Sequence, residues 1–293
     1  MPLGGKANFN FALRLNGDRR VMAKIYRYQD RERISTELKW SAVLQKNGIS
    51  IPSSLIDKNG ERIFPCEDRF GVLFEYVDGS HPTQTSEELY AIGKTLGKLH
   101  RVDTGMNDLP GYYITLQMLS DEMKETTITN RETRQFFEET RDIAREIPFD
   151  QLPKSLIHGD LFLDNLLQTR EQKLCVLDFE ELAWDNCLLD IARCVIGCCI
   201  QNDRINLSLV QSLLQGYQCE RTLAREESAF LYHYIIYAGL LTAFWRYKEY
   251  QVKQREGGSE LVRKIIRPVQ ELLRNKKPLQ DLQECSFSSD PVC

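Results

Sequence analysis

The spacing of hydrophobic and polar residues changes along the chain, from a period of two near the start to a helical period later. The segment NFNFALRL (residues 8–15) alternates, Asn16–Gly17 is a strong signal for a hairpin turn, and RVMAKIYR (20–27) predicts the returning strand. Two further strands are predicted at SSLI (53–56) and FGVLFEYV (70–77). The first quarter of the chain therefore predicts a small antiparallel sheet.

One helix is predicted within this β-rich part. Between Asp30 and Asn47 the hydrophobic residues recur at helical spacing, and Gly48 stands where a helix commonly ends. The apolar side of this predicted helix consists of Ile34, Leu38, Ala42 and Leu44.

The chain after residue 82 is predicted to be mostly helical. A helix that begins at Thr85 or Ser86 runs to about His100, because both hydroxyl residues are good N-caps and an apolar stripe follows. That stripe consists of Leu89, Ile92, Leu96 and Leu99. Two short apolar runs, NLLQ (165–168) and LCVLDF (174–179), predict a small hairpin inside this helical part.

These elements predict an α+β fold. A small β-rich lobe is expected at residues 1–79, a larger and mainly helical lobe at 80–275, and a flexible tail at 276–293. The clefts between such lobes are common places for small-molecule sites.

Composition narrows the classes of function. The chain has 293 residues, of which 42% are hydrophobic and 27% charged, as in ordinary globular proteins. A net charge of −4 and the lack of a long Lys/Arg stripe argue against a nucleic-acid partner. No apolar run is long enough for a membrane span, the start resembles no signal peptide, and nine cysteines suit reduced core thiols. A cytoplasmic protein is expected, and its oligomeric state is left open.

Polar residues interrupt two apolar runs in the second part of the chain. The segment LIHGDLFLDNLL (156–167) contains Asp160 and Asn165, and Asp178 ends the run that follows. Buried polar groups must satisfy one another or hold something charged. The spacing D-x-x-x-x-N is that of a phosphotransferase catalytic loop, in which the Asp orients a hydroxyl while the Asn and a later Asp hold Mg²⁺.

Phosphoryl transfer from ATP also needs a cation for the phosphates, and Lys24 on an early predicted strand suits that role. Glu37 on the following helix is the candidate partner of Lys24, with Asp30 and Glu32 as less well placed alternatives. The plain alternative for Lys24 is a solvated residue on a strand.

The motif H-G-D-x-x-x-x-N, followed by an apolar residue, Asp178, Phe179 and Glu180, resembles the aminoglycoside phosphotransferase and choline kinase superfamily. Within that superfamily the chain is most similar to bacterial homoserine kinases, on the segments GGKANFNFAL (4–13), LLDIA (188–192) and LLTAFWRYKEY (240–250). The resemblance spans about residues 3–250 and implies a protein-kinase-like, two-lobed fold that uses ATP and Mg²⁺. Relatives usually carry a helix and a first strand before the glycine loop, whereas this sequence begins at that loop. Either the natural start lies upstream of residue 1, or the small lobe lacks an edge strand.

The resemblance implies further site residues. Gly4 and Gly5 would let the backbone approach the phosphates, and Glu75 and Val77 would flank the backbone hinge that meets adenine. An ordinary turn and an ordinary strand end are the alternatives.

Three further residues are candidates for the acceptor side. Glu180 and Glu181 beside a cleft would favour an acceptor that carries an amino group, and Arg246 would receive an acceptor carboxylate. An acidic run is otherwise more often a solvated face.

The sequence thus predicts an ATP- and Mg²⁺-dependent kinase that phosphorylates the hydroxyl group of a small metabolite, with L-homoserine as the leading acceptor. The alternatives are another amino-alcohol, aminoglycoside or thiosugar kinase of the same superfamily, and a nucleotide-binding pseudokinase.

Overall fold

The fold is known from a computed structural model that describes residues 2–4, 8–103, 109–254, 258–277, 279 and 281. The chain divides into two compact units. Unit 1 comprises Met1–Pro82 and Asp164–Glu180, and unit 2 comprises Thr83–Leu163 and Glu181–Cys293. The predicted lobe boundaries stay predictions, and unit 1 differs from the predicted first lobe by including the segment 164–180.

Along the chain, segments of unit 1 alternate with segments of unit 2. The strands are β1 (Pro2–Gly4), β2 (Phe9–Arg14), β3 (Arg20–Ile25), β4 (Ile63–Cys66), β5 (Arg69–Glu75), β6 (Gly79–Ser80), β7 (Lys154–Ile157), β8 (Leu166–Thr169), β9 (Leu174–Val176), β10 (Ala183–Asn186), β11 (Ile200–Gln201) and β12 (Arg204–Ile205). The helices are α1 (Arg31–Lys46), α2 (Ser86–His100), α3 (Leu116–Glu125), α4 (Arg131–Ala144), α5 (Cys187–Cys198), α6 (Leu207–Gln218), α7 (Arg225–Arg246) and α8 (Gly258–Arg274). A 3₁₀ turn covers Leu163–Asn165 and a π-helical turn covers Tyr247–Val252.

Unit 1 is built on an antiparallel sheet whose strand order is β1-β2-β3-β5-β4. Its core consists of the buried residues Tyr26, Ile34, Leu38, Ile63, Val72 and Phe74. A second, three-stranded sheet has the order β6-β8-β9 and contains the predicted hairpin.

Helix α1 begins at the predicted position, because the Asp30 side chain caps it by accepting a hydrogen bond from the Arg33 N–H. Its buried face carries Glu37 alongside Ile34 and Leu38, so a carboxylate lies on the core side of the helix. Ala42, predicted on the same face, is exposed.

The third predicted strand, SSLI, was wrong as an extended strand. Ser54 forms only an isolated bridge to Phe74, and β5 pairs regularly with β3 on one side and with β4, at the edge of the sheet, on the other. Pro65 lies inside β4 and lowers the strand signal of that segment, but an edge strand tolerates the missing N–H donor.

Unit 2 is mainly helical, with the short pairs β7-β10 and β11-β12. Helix α2 packs on α6, and α7 packs on α4, α5 and α8. All four residues of the predicted apolar stripe on α2 are buried. The five-stranded sheet formed early in the chain and the helices that predominate later confirm the predicted α+β class. None of the helices in the described part of the chain is long and apolar enough to cross a membrane.

Glycines allow α2 and α6 to approach closely. A Cβ atom added at Gly93 would lie 1.9 Å from the carbonyl oxygen of Leu213, and one added at Gly216 would lie 2.0 Å from that of Tyr90. Backbone atoms cannot move aside as a flexible side chain can, so a larger residue must push the helices apart.

We expect Gly93→Ala to lower the free energy of unfolding by about 1–3 kcal/mol, the usual cost of overpacking. Gly111→Ala is the matched control, because a Cβ atom there meets no heavy atom within 4 Å. Urea denaturation of both variants measures the effect. Equal midpoints for the two variants would show that the helices accommodate the extra methyl group.

Candidate active site

A buried lysine is the centre of the first polar cluster, which lies in unit 1. The Lys24 ammonium on β3 is 3.3 Å from a carboxylate oxygen of Glu37, 2.8 Å from one of Asp178 and 3.0 Å from one of Glu180. Lys24 is 4% exposed. We call these four residues the Lys24 cluster. The structure thus brings Lys24, Glu37 and Asp178 together, although they come from a strand, a helix and the end of a hairpin.

Opposing effects set the charge state of this cluster. Burial alone would lower the pKa of Lys24, but the carboxylates of Asp178, Glu37 and Glu180 outweigh it and hold that pKa well above its usual value. Burial raises the pKa of Glu37, and the adjacent Lys24 offsets part of that rise. Lys24 therefore carries its positive charge at neutral pH.

Glu180 is an integral member of the Lys24 cluster. Its carboxylate accepts hydrogen bonds from the side-chain amides of Asn8 and Gln29, and its backbone carbonyl accepts one from Arg33 at 2.8 Å. Burial, opposed by Lys24 and assisted by Asp178, raises the pKa of Glu180 to about 8. These contacts place Glu180 beside Lys24, and its role on the acceptor side stays a prediction.

The β8–β9 hairpin places the predicted metal ligands at one end. Leu166 pairs with Val176, and the Leu177 N–H donates to the Asn165 carbonyl at 2.9 Å, so Asn165 and Asp178 flank the same hairpin end. Asp178 has a backbone φ of 62°, a left-handed conformation that costs energy and often marks a functional position.

The donor set at this hairpin end suits a hard cation. An amide oxygen and a carboxylate are the ligand types of Mg²⁺, which usually takes one or two protein ligands and completes its shell with phosphate oxygens and water. Within the described ranges, no group of three or more His, Cys, Asp or Glu side chains could hold a metal ion. The amide of Asn165 and the carboxylate of Asp178 are thus ligand types that fit Mg²⁺.

A second polar cluster lies in unit 2, where Asp160 follows β7. Arg193 on α5 donates to a carboxylate oxygen of Asp160 at 2.6 Å, and its guanidinium is 3.8 Å from Glu181. Glu181 accepts hydrogen bonds from the hydroxyls of Tyr112 at 2.8 Å and Tyr113 at 3.0 Å. We call these five residues the Asp160 cluster.

The Asp160 cluster has more negative than positive groups. Burial raises the pKa of Glu181 to about 7, Asp160 adds to the rise, and Arg193 opposes it. One guanidinium thus faces two carboxylates, of which one titrates near neutral pH. A cationic group that entered this cluster would relieve the imbalance.

The loop that carries Asp160 is held from behind by Asp190 on α5. Its carboxylate accepts the backbone N–H groups of His158 at 2.6 Å and Gly159 at 2.8 Å. Gly159 has φ +82°, and an added Cβ atom would lie 2.8 Å from the Glu181 carbonyl oxygen. Only glycine meets both constraints, and the loop therefore turns tightly before Asp160.

His100 supports Asp190 from the interior of unit 2. One ring nitrogen lies 3.2 Å from the Asp190 carboxylate and the other 2.8 Å from the Tyr217 hydroxyl. Burial alone would lower the pKa of His100, but Cys187 and Asp190 together raise it to about 9. The imidazolium therefore stabilises the loop support at neutral pH.

The remaining predicted site residues have the following positions. Gly4 ends β1 opposite Asn10, and Gly5 lies outside the described residues. Glu75 is the last residue of β5 and exposed, and Val77 is half-buried in the connection to β6. Arg246 donates to the Leu261 carbonyl at 3.0 Å, a contact that ties α7 to α8.

Sequence reasoning missed three members of the Asp160 cluster, namely Arg193, Tyr112 and Tyr113. A signal for Arg193 existed, because it is the one basic residue in the apolar run LLDIARCVIGCC and lies one helical turn from Asp190. No pattern marked the two tyrosines, which precede α3 in an irregular segment.

Comparison with known proteins agrees with this geometry. The family model described as the phosphotransferase enzyme family matches residues 1–225. The chain belongs to this family. Homoserine kinase of Rhodopseudomonas palustris (strain BisB5) is 25% identical to this phosphotransferase over 236 residues, which cover 78% of this chain and 72% of that protein. The predicted family and the predicted likeness to homoserine kinases are confirmed.

Solved structures confirm the fold. A microcompartment-associated aminopropanol kinase superposes with a TM-score of 0.77 at 20% identity, covering 96% of this chain and 93% of that one. Amicoumacin kinase in complex with AMP-PNP, Ca²⁺ and Ami gives a TM-score of 0.75 at 16% identity, covering 97% and 91%. The phosphotransferase thus has the predicted protein-kinase-like fold, and its relatives act on small molecules.

The pKa of His100 gives a testable pH dependence of stability. Because the folded pKa of about 9 exceeds the ordinary 6.5, the contribution is fully present below pH 6.5 and is lost as the pH rises through 9. We expect His100→Gln to lower the free energy of unfolding by about 3 kcal/mol at pH 6, and by much less above pH 9.

Urea titrations of parent and variant at several pH values measure this difference. His233→Gln, which removes a partly exposed imidazole of the same unit, is the control. A loss for His100→Gln that stays constant from pH 6 to pH 9.5 would contradict a buried imidazolium.

Proposed function

We propose that this phosphotransferase transfers the γ-phosphoryl group of ATP to the hydroxyl group of a small metabolite that carries an amino group, with L-homoserine as the leading acceptor. The observation that carries the nucleotide part is the buried Lys24 ammonium, held by Glu37 and Asp178. A buried ion-pair cluster contributes little net stability, so its presence supports a role in binding, and phosphoryl transfer needs such a cation at the phosphates.

Unit 1 would bind the nucleotide. Lys24 would contact the phosphates, while Glu37 and Glu180 keep its ammonium in place. Asn165 and Asp178 would hold Mg²⁺, which neutralises charge on the phosphates. We also propose that the backbone at Gly4 and Gly5 contacts the phosphates. The backbone at residues 75–77 would contact adenine.

Unit 2 would bind the acceptor. Asp160 would accept a hydrogen bond from the attacking hydroxyl and take its proton late in the transfer, as the corresponding aspartate does in the protein-kinase catalytic loop. Glu181 would pair with the acceptor ammonium, since its carboxylate is already oriented by Tyr112 and Tyr113. The predicted pairing of Arg246 with an acceptor carboxylate stays a prediction.

The names of the relatives support an amino-bearing acceptor. Homoserine and aminopropanol, the acceptors named for two of the relatives, each combine a hydroxyl with an amino group. Other amino alcohols and aminoglycosides share this chemistry, so the acceptor is identified by assaying a panel.

We expect Asp160→Asn to lower kcat by about 10²–10⁴-fold with homoserine or whichever panel acceptor is turned over, because the variant cannot take the hydroxyl proton. Asp164→Asn is the matched control, since Asp164 is an exposed carboxylate on the same loop. A coupled assay of ADP formation measures both variants. Asp160→Asn with kcat within threefold of the parent would remove Asp160 from the proposed reaction.

Substitutions at the adjacent residues Glu180 and Glu181 should raise the KM values of different substrates. Glu181→Gln should raise the KM for the acceptor about tenfold or more by removing a charged hydrogen bond, whereas Glu180→Gln should raise the KM for ATP. Gln keeps one oxygen that accepts from a tyrosine hydroxyl, and its NH₂ group can donate to the oxygen of the other hydroxyl, so both tyrosines keep a polar partner. An acceptor analogue without the amino group should be insensitive to Glu181→Gln. Equal sensitivity of the two acceptors would exclude Glu181 as the ammonium site.

A further inference from the structure

We propose that Arg193 is a positioning residue for phosphoryl transfer: it fixes the carboxylate of Asp160 in the orientation that meets the acceptor hydroxyl. The inference rests on the proposed function, in which Asp160 contacts that hydroxyl. It concerns residues of unit 2 only.

One guanidinium makes three separate hydrogen bonds. Nη2 donates to Oδ1 of Asp160 at 2.6 Å, Nε donates to the carbonyl of Gly159 at 3.0 Å, and Nη1 donates to the hydroxyl of Thr242 at 3.2 Å. The guanidinium fork is rigid and planar, so these bonds fix the Asp160 side chain and the preceding peptide at the same time.

Arg193 and the Asp160 carboxylate differ in their exposure to solvent. Arg193 is 7% exposed, whereas the Asp160 side chain is 34% exposed. The carboxylate is therefore held from its buried side and keeps an accessible side for a substrate. Thr242 is fixed in turn, because its hydroxyl donates to the Ala238 carbonyl at 2.8 Å and so presents its oxygen to Arg193.

A single turn of α5 holds both kinds of backbone group in the Asp160 loop. Asp190 accepts the N–H groups of His158 and Gly159, and Arg193, three residues later, donates to the Gly159 carbonyl. Residues three apart lie on one helix face, which explains how both reach the same loop. Arg193 differs from Asp190 in that it also touches the carboxylate itself.

The test compares Arg193→Met, which keeps the length but removes the charge, with Arg193→Lys and Thr242→Val. We expect Arg193→Met to lower kcat about 10–100-fold, with the KM for ATP within threefold of the parent. Arg193→Lys should recover part of this loss, because Lys restores a cation but not the fork. Arg141→Met, which removes a partly buried arginine of α4, is the control.

A double-variant cycle separates positioning from general stability. If Arg193 acts through Asp160, Arg193→Met should cost little further activity in an Asp160→Asn background. The same loss in both backgrounds, or a folded Arg193→Met with kcat within threefold of the parent, would overturn the inference. If Arg193→Met does not fold, unchanged kcat in both Arg193→Lys and Thr242→Val overturns it instead. Parent-like activity of Asp160→Asn, by contrast, refutes the proposed function itself.

Discussion

The interaction on which unit 1 depends is the burial of one ammonium among three carboxylates. Lys24 on β3 pairs with Glu37 of α1. It also pairs with Asp178 and Glu180, which follow the β8–β9 hairpin, so the cluster joins three parts of the chain. Such a cluster is a poor way to gain stability, because desolvating each charge costs several kcal/mol. The burial suits the proposed nucleotide, whose phosphates would pair with the Lys24 ammonium and whose metal ion would pair with the Asp178 carboxylate.

Unit 2 also buries charged side chains, and there they lie on one helix, α5. Helix α5 is apolar along most of its length, yet it carries Asp190 and Arg193 one turn apart, and both are buried. At that spacing Asp190 accepts N–H groups of the tight loop and Arg193 donates to one of its carbonyl groups, so one helical turn fixes the loop backbone. The glycine at 159 is required by the same geometry, since a Cβ atom would collide with the carbonyl of Glu181.

Sequence reasoning identified those parts that have a local signature. The spacing of Asp160, Asn165 and Asp178 is a motif, and Glu37 could be found because it lies on the predicted helix that follows the strand of Lys24. The partners of Glu180 and Glu181 could not be found in this way, because neighbouring side chains on an irregular segment can point to unrelated surroundings. Strand β4 was also missed, because Pro65 argues against a strand unless the strand lies at the edge of a sheet, and the edge position is not visible in the sequence.

The acidic pair at 180–181 shows how much such a local ambiguity matters. As a solvated face the two residues would be interchangeable, but Glu180 is tied to Lys24 at 3.0 Å and Glu181 to two tyrosine hydroxyls and Arg193. The backbone therefore passes from unit 1 to unit 2, and from the Lys24 cluster to the Asp160 cluster, within one peptide bond. Under the proposed function, a substitution at Glu181 or its tyrosines would alter acceptor binding without disturbing the Lys24 cluster, because the two carboxylates share no partner among the described contacts.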